Sequence, residues 1–475
     1  MRFAPSGLQR LAIVVVALAL LAPEALARTI RVPEDASTMR AALLEARPGD
    51  TIEVSRNLRE AVEIKNERRI TIKTGFFNRQ IEIQGNRPNV PTVLIENSSD
   101  ITIIGFTITR SNQGGVDGGM VIRNSTGIVL EDMVFEDNIG TLKGEDGAGA
   151  NLDIVDAEVT LENLKIVPLR DDLPVTHALR FANSRVTVSG GEIAENTGFA
   201  LVATGEVLNL SGLTIRDNAG FGIQADQAQL NFEGLTVSGH PDGGIRALNS
   251  SGTIANTTIR NNAHFGLVVA GDSDVAFVGG TITAQPDGAI QVSGAGATVR
   301  TNGSLIDANG AHGVQVLLGA TAVIENSTVS NHPQNGVVVS GASTATIANS
   351  QVVANGANGV EALEGSTLTI TGGQVQSAQT AAGSRVGQNT AQGRRVVSSV
   401  ATVSASEVSG NGGPGILAEA DAQLQVAGGS LIANNTQEGV RVVGSAATVR
   451  DSEISANGAD GVLLREPAPC MYLYR

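Results

Sequence analysis

Apolar and polar residues alternate along most of this chain in runs of only three to five residues. Gly212–Glu233, GLTIRDNAGFGIQADQAQLNFE, shows the pattern, and Gly234–Ala255, GLTVSGHPDGGIRALNSSGTIA, repeats it one period later. Within each unit the runs LTI, GIQA and QLNF have period two and are broken by Gly, Asn or Asp. A period of two over so few residues specifies short strands, and the regular breaks exclude helices of useful length. A small residue opens one strand of every unit, at Ala178, Ala200, Gly222, Gly244, Gly266, Gly288, Gly313, Gly336, Gly359, Gly415, Gly439 and Gly461. Most steps between these markers are 22 to 25 residues.

Self-similarity at this period is the signature of a solenoid in which each repeat buries its apolar face only against its neighbours. Three strands of about four residues turn the chain once, and successive turns stack about 4.8 Å apart. The fold class read from the pattern is therefore all-β, a right-handed parallel β-helix with coils of about 22 residues. Four residues before the markers stand Asn196, Asn218, Asn262, Asn309, Asn355, Asn411, Asn435 and Asn457, a column expected to hydrogen-bond along the axis. His240, Ala284 and His332 interrupt it.

The two ends read differently. Arg2 and Arg10 precede the apolar run Leu11–Leu21, and Ala25-Leu26-Ala27 offers a small-x-small cleavage site, so residues 1–27 are expected to be a signal peptide. Residues 28–50 hold a short strand, Thr29–Pro33, and a helix over Ser37–Ala46 whose apolar face would cap the open end of the solenoid. The β-helix is expected over 51–465, with an irregular insertion at 377–399 that carries Arg385, Arg394 and Arg395 as an exposed basic group. Residues 466–475 form a tail broken by Pro467 and Pro469.

The opening TIRVPEDASTMRAALLEARPGDTIEV, followed by REAVEI at Arg59–Ile64, resembles the start of exported β-helix proteins of the pectate-lyase-like superfamily, including its carbohydrate-binding and sugar-hydrolase (CASH, NosD-like) members. With the repeats, the resemblance covers nearly the whole chain after the leader. It implies the right-handed parallel β-helix again. It does not choose among lyases, hydrolases, epimerases, esterases and non-enzymes, which share the fold. The motifs of the active families do not carry over: Asp171-Asp172 occurs, but Gly239-His240-Pro241 departs from the Gly-His-Gly of polygalacturonases.

Charge narrows the partners. The formal net charge of −15 disfavours nucleic acid and anionic membrane surfaces, and no run after the leader is apolar enough to span a bilayer. The single Cys470 leaves stability to stacking rather than to an internal disulfide. With no Trp and two Tyr, the composition is poor in the aromatic faces on which sugars stack.

One local departure from regularity offers chemistry. Arg110–Gly119, Glu136–Gly149 and Pro168–His177 lengthen successive early coils and should emerge at one corner. Alternation then stacks Asp153 and Arg180 as outward neighbours. A calcium-assisted uronate site would use Asp146, Asp153 and Asp171 as Ca2+ ligands, with Arg180 and Asp153 at the reacting centre and Arg170, Asp172 and His177 binding substrate. The other reading is a solvated acidic edge. Two function classes follow: an exported, non-catalytic β-helix that binds or organises extracytoplasmic partners such as polysaccharide or a cell-surface component, and a polysaccharide lyase or hydrolase acting on an acidic (uronate) glycan.

Overall fold

The computed structural model describes residues 27–75, 80–87, 90–109, 118–138, 150–168, 177–372, 385–465 and 471–474. Its strands stack in parallel into about 17 coils. One coil is enough to define three faces. Phe221–Asp226 lies on the first face, Gln229–Glu233 on the second and Thr236–Ser238 on the third. Each pairs in register with its counterpart one coil on, as Ile223 with Ile245, Leu230 with Gly252 and Val237 with Ile259. A left-handed residue turns each corner of this coil: Gln227 at φ 53°, Gly234 at φ 64° and Gly239 at φ 75°.

The alternation read from sequence fills the interior. Ile223, Ala225, Leu230, Phe232 and Val237 are all buried, and their equivalents above and below continue the same columns. The markers are small for a direct reason. A Cβ built on Gly313 would fall 2.5 Å from the Gly336 carbonyl oxygen and 2.7 Å from Nε2 of His332 on the next coil.

The polar column inside the corner is longer than expected. The amide N–H of most members donates to a side chain one coil on, as Asn196 to Asn218, His240 to Asn262 and Asn435 to Asn457. All three places read as breaks carry members, His240 among them. Asn262 N–H donates to Oε1 of Gln285, so the column runs through Gln285 where Ala284 had been aligned. Nδ1 of His332 accepts from Asn309 N–H, and its Nε2–H donates to the Ile306 carbonyl, the two bonds an Asn makes elsewhere in the column. In the coil that contains Gln285, the register places Ala289, not Gly288, at the marker position. At the other corners Ser and Thr do the same work: Ala228 N–H donates to Ser250 and Ser250 N–H to Ser273.

The stretch 377–399 is corrected in part. Residues 377–384 lie outside the described residues. From Arg385 the chain is regular again, with strands Arg385–Gly387 and Arg394–Val397, Asn389 in the polar column and Gly393 at the marker position. The reason is visible in the run GRRVV at 393–397, which occupies the frame of GVRVV at 439–443, so the backbone ladder takes it up despite its charges. Arg394 is consequently buried and not exposed.

At the N-terminal end Thr29–Val32 pairs with Thr51–Val54, and the helix spans Met39–Glu45 with Thr38 as its N-cap. Met39, Ala42 and Leu43 are buried as the spacing predicted, and the helix packs against the strands Thr29–Val32 and Val62–Lys65. At the other end Met471–Tyr474 stacks on Ala446–Arg450, so the tail continues the winding.

Candidate functional site

The outward column of the first face runs in register through Glu63, Leu94, Val121, Asp153, Arg180, Val202, Gln224, Arg246, Val268, Gln291, Gln315, Val338, Glu361 and Arg395. Asp153 and Arg180 are neighbours on adjacent coils, as alternation required. They are not solvated. Nη1 of Arg180 lies 3.0 and 3.1 Å from the two oxygens of Asp153, and their side chains are 17% and 2% exposed.

His177 stands beside this pair. Its ring centroid is 5.5 Å from that of Phe199, and its Nδ1 is buried without a hydrogen-bond partner among the described residues. Burial, with Arg180 nearby, pushes its pKa down to about 4, so the imidazole is neutral at pH 7. Burial also raises Glu136 at the same corner, helped by Asp137 and Glu82. Asp146, Arg170, Asp171 and Asp172 lie outside the described residues. Of the three expected calcium ligands only Asp153 can be placed, and its carboxylate is engaged by Arg180. Among the described residues no group of three or more His, Cys, Asp or Glu side chains could hold a metal ion.

Sequence reasoning missed a second outward column, one residue before the markers. It holds His177, Phe199, Phe221, Gly243, Phe265, Gly288 and His312. The three Phe side chains are half-buried, which leaves part of each ring open to solvent. The glycines make this possible. A Cβ on Gly243, at φ 131°, would come 2.8 Å from Cε1 of Phe221, and one on Gly288, at φ 134°, would come 3.0 Å from Cε1 of Phe265. Each ring therefore rests on bare glycine backbone of the next coil. Arg246 places its guanidinium carbon 6.0 Å from the Phe221 ring centroid, within cation–π range. Three glutamines, Gln224, Gln291 and Gln315, share its column. The signal was present in the sequence: Phe at the same offset from three markers.

Farther along the same face a hydrogen-bonded chain crosses five coils. Nδ1 of His312 accepts from Asn335 N–H at 3.3 Å, and Nδ2 of Asn335 donates to Glu361 at 2.9 Å. Arg395 then bridges Glu361 at 2.6 Å and Glu419 at 3.3 Å. From His177 to His312 the first face thus presents an aromatic and amide stripe between two charged groups. Six register steps separate the histidines, about 29 Å at the usual strand spacing.

Residues 222–375 match the family model described as right handed beta helix region. No curated protein matches the chain. Solved structures align with the chain at low identity. The A-module of a mannuronan C-5 epimerase from Azotobacter vinelandii is 14% identical over 79% of this chain and 90% of its own, with a TM-score of 0.31. The bacteriophage Phi29 gene product 12 N-terminal fragment is 11% identical over 98% and 95%, with a TM-score of 0.43. An alginate lyase from Paenibacillus sp. is 15% identical over 58% and 94%, with a TM-score of 0.26. These likenesses carry no site residue over to this chain. The described residues wind as a right-handed parallel β-helix.

Proposed function

We propose that this protein is an exported, non-catalytic β-helix that binds a linear polysaccharide along its first face. The observation that carries the reading is the column of Phe199, Phe221 and Phe265, each half-open to solvent, beside Gln224, Arg246, Gln291 and Gln315. Sugars offer apolar faces rimmed by hydroxyls. Aromatic rings take the faces, and amide side chains both donate to and accept from the hydroxyls. Glycan units laid along the axis meet a new row of side chains at every coil, because the coil rise is close to the length of one pyranose unit. Arg246 forms no ion pair among the described residues, so it is available to a carboxylate or sulfate on the chain. The leader pattern at residues 1–27 supports export, and no described helix is long and apolar enough to cross a membrane.

The test is binding of neutral and acidic glycans to wild type, to a Phe221→Ala/Phe265→Ala double variant and to Arg246→Gln. Loss of binding in the double variant with the fold intact is expected. Arg246→Gln should weaken acidic chains at least tenfold and leave neutral ones unchanged. Undiminished binding in the double variant would remove the reading.

A second reading, a lyase or hydrolase acting on a uronate glycan, rests on the buried, unpartnered Nδ1 of His177 beside Asp153 and Arg180. Here Arg180 faces the substrate carboxylate, and calcium would be held with Asp146 and Asp171. Incubation of wild type with acidic polysaccharides, with and without calcium, decides it. Unsaturated product or new reducing ends that vanish in His177→Ala would favour catalysis over binding alone.

A further inference from the structure

Arg394 enters the solenoid at a position that its neighbours fill with aliphatic side chains. In the inward column of the first face it stands between Val360 and Ile416, and the column continues to Val440. It is fully buried, and among the described residues Nε, Nη1 and Nη2 all lack a hydrogen-bond partner. Arg395, the next residue, points outward and is engaged by Glu361 and Glu419. A guanidinium carries five donors and a charge that is rarely lost, so enclosing it without a counter-charge is among the most unfavourable arrangements a core can hold. Burial lowers its pKa only to about 9, and it remains a cation at neutral pH.

Coils in a solenoid touch only their neighbours, so this penalty falls on one coil and is not shared along the rod. The same coil is joined to the one before it by a longer connection: Asn355 and Asn389 of the polar column are 34 residues apart, against 22 for Asn389 and Asn411. A longer connection adds closure entropy to the same place.

We propose that the coil containing Arg385–Gly387 and Arg394–Val397 is a built-in fault at which the rod opens first, letting the guanidinium reach water and dividing the solenoid into two cooperative blocks. The coils before Thr371 form one block and those from Ile416 onward the other. The opening is local and reversible, and it makes this coil the hinge of an otherwise continuous rod.

Native-state hydrogen exchange on the full chain tests this. Amides of 394–397 are expected to exchange at least tenfold faster than those of Leu267–Ala270 and Val337–Val339. Arg394→Val should slow them to the rate of their neighbours and raise the lower of two thermal transitions. Arg394→Met serves if the β-branched variant packs poorly. Arg395→Gln, which breaks the outer ion pairs, should not reproduce the slowing. Val440→Arg should create a second fast-exchanging coil. If residues 394–397 exchange as slowly as their neighbours, or if both Arg394 variants leave exchange and melting unchanged, the buried charge is compensated and the fault does not exist.

Discussion

One guanidinium nitrogen of Arg180 spans both carboxylate oxygens of Asp153, at 3.0 and 3.1 Å, across a single step of the winding. The column on either side of the pair is apolar, with Val121 before Asp153 and Val202 after Arg180. Asp153 itself is 1% exposed. This is a buried ion pair set in a hydrophobic row, and its energetics differ from those of an ion pair on a solvated edge.

Removing one partner of a buried pair leaves the other charge uncompensated. Arg180→Ala is therefore expected to cost about 3 kcal/mol, well above the 1 kcal/mol or less typical of an exposed pair. Replacing both members, Asp153→Val with Arg180→Val, extends the flanking valines and should be close to neutral. Urea denaturation of Asp153→Val, Arg180→Val and the double variant gives the cycle. Equal small losses in all three would mean that water reaches the pair.

The polar column makes a second contrast. Asn218 accepts from the N–H and Nδ2 of Asn196 and donates to the Ile193 and Arg216 carbonyls, all within 3.1 Å. Asn218→Leu leaves these buried groups unmatched and should cost about 2 kcal/mol or more, while Gln224→Leu on the outer face should stay within about 0.5 kcal/mol. His332→Asn supplies the same two bonds and should be tolerated, whereas His332→Leu should not. Melting temperatures of the four variants check both comparisons.

What was legible in sequence followed from strict local rules. The period of two placed Ile223 and Ala225 inside with Gln224 outside, and the repeat set Asp153 beside Arg180 across 27 residues. Failures arose where chemistry substitutes for identity. His332 and Gln285 present the same acceptor and donor as Asn, so a column defined by residue name appeared broken where it is continuous. Arg394 was read as exposed because the stretch 377–399 shows no strand alternation across its Gly, Ala, Gln and Ser residues, yet its frame is that of Val440. The Phe column was hidden by composition: few aromatics overall says nothing about three of them sharing one offset. Burial of Asp153 and Arg180 has no signature in the alternation, which sets direction and not cover.

Acid should weaken the fold through its histidines. Burial holds His332 at about pKa 4, with its ring bonds to Asn309 and Ile306 opposing that shift, and burial also lowers His177 to about 4. Both values lie below the usual 6.5 of an unfolded His, so the folded state binds fewer protons than the unfolded chain. The contribution is complete above about pH 6.5 and is lost as pH falls toward 4. For His332, 1% exposed, the loss amounts to at most about 3 kcal/mol. Denaturant midpoints of wild type and His332→Asn between pH 7 and 4.5 should converge at the top of that range and separate at the bottom, with the variant the more stable. Parallel curves would show that His332 does not titrate with unfolding.

Gly243 links stability to the binding stripe without being part of it. At φ 131° its backbone is in a region that side chains avoid, and an added Cβ would sit 2.8 Å from Cε1 of Phe221 and 2.9 Å from the Phe265 carbonyl oxygen. The carbonyl belongs to the strand ladder, through its bond from Gly244 N–H, and has little room to move, so the Phe221 ring must lift instead. Arg246 would then lose the ring over which it is held. Gly243→Ala is expected to lower stability by about 1–3 kcal/mol through backbone strain and to reduce glycan binding nearly as much as Phe221→Ala. Ala substitution at Gly234, where an added Cβ meets nothing within 4 Å, provides the control: it shares the left-handed strain, at φ 64°, and should leave binding intact. If Gly243→Ala and Gly234→Ala bind equally well, the position of the Phe221 ring does not matter to the ligand, and the stripe is packing rather than a platform.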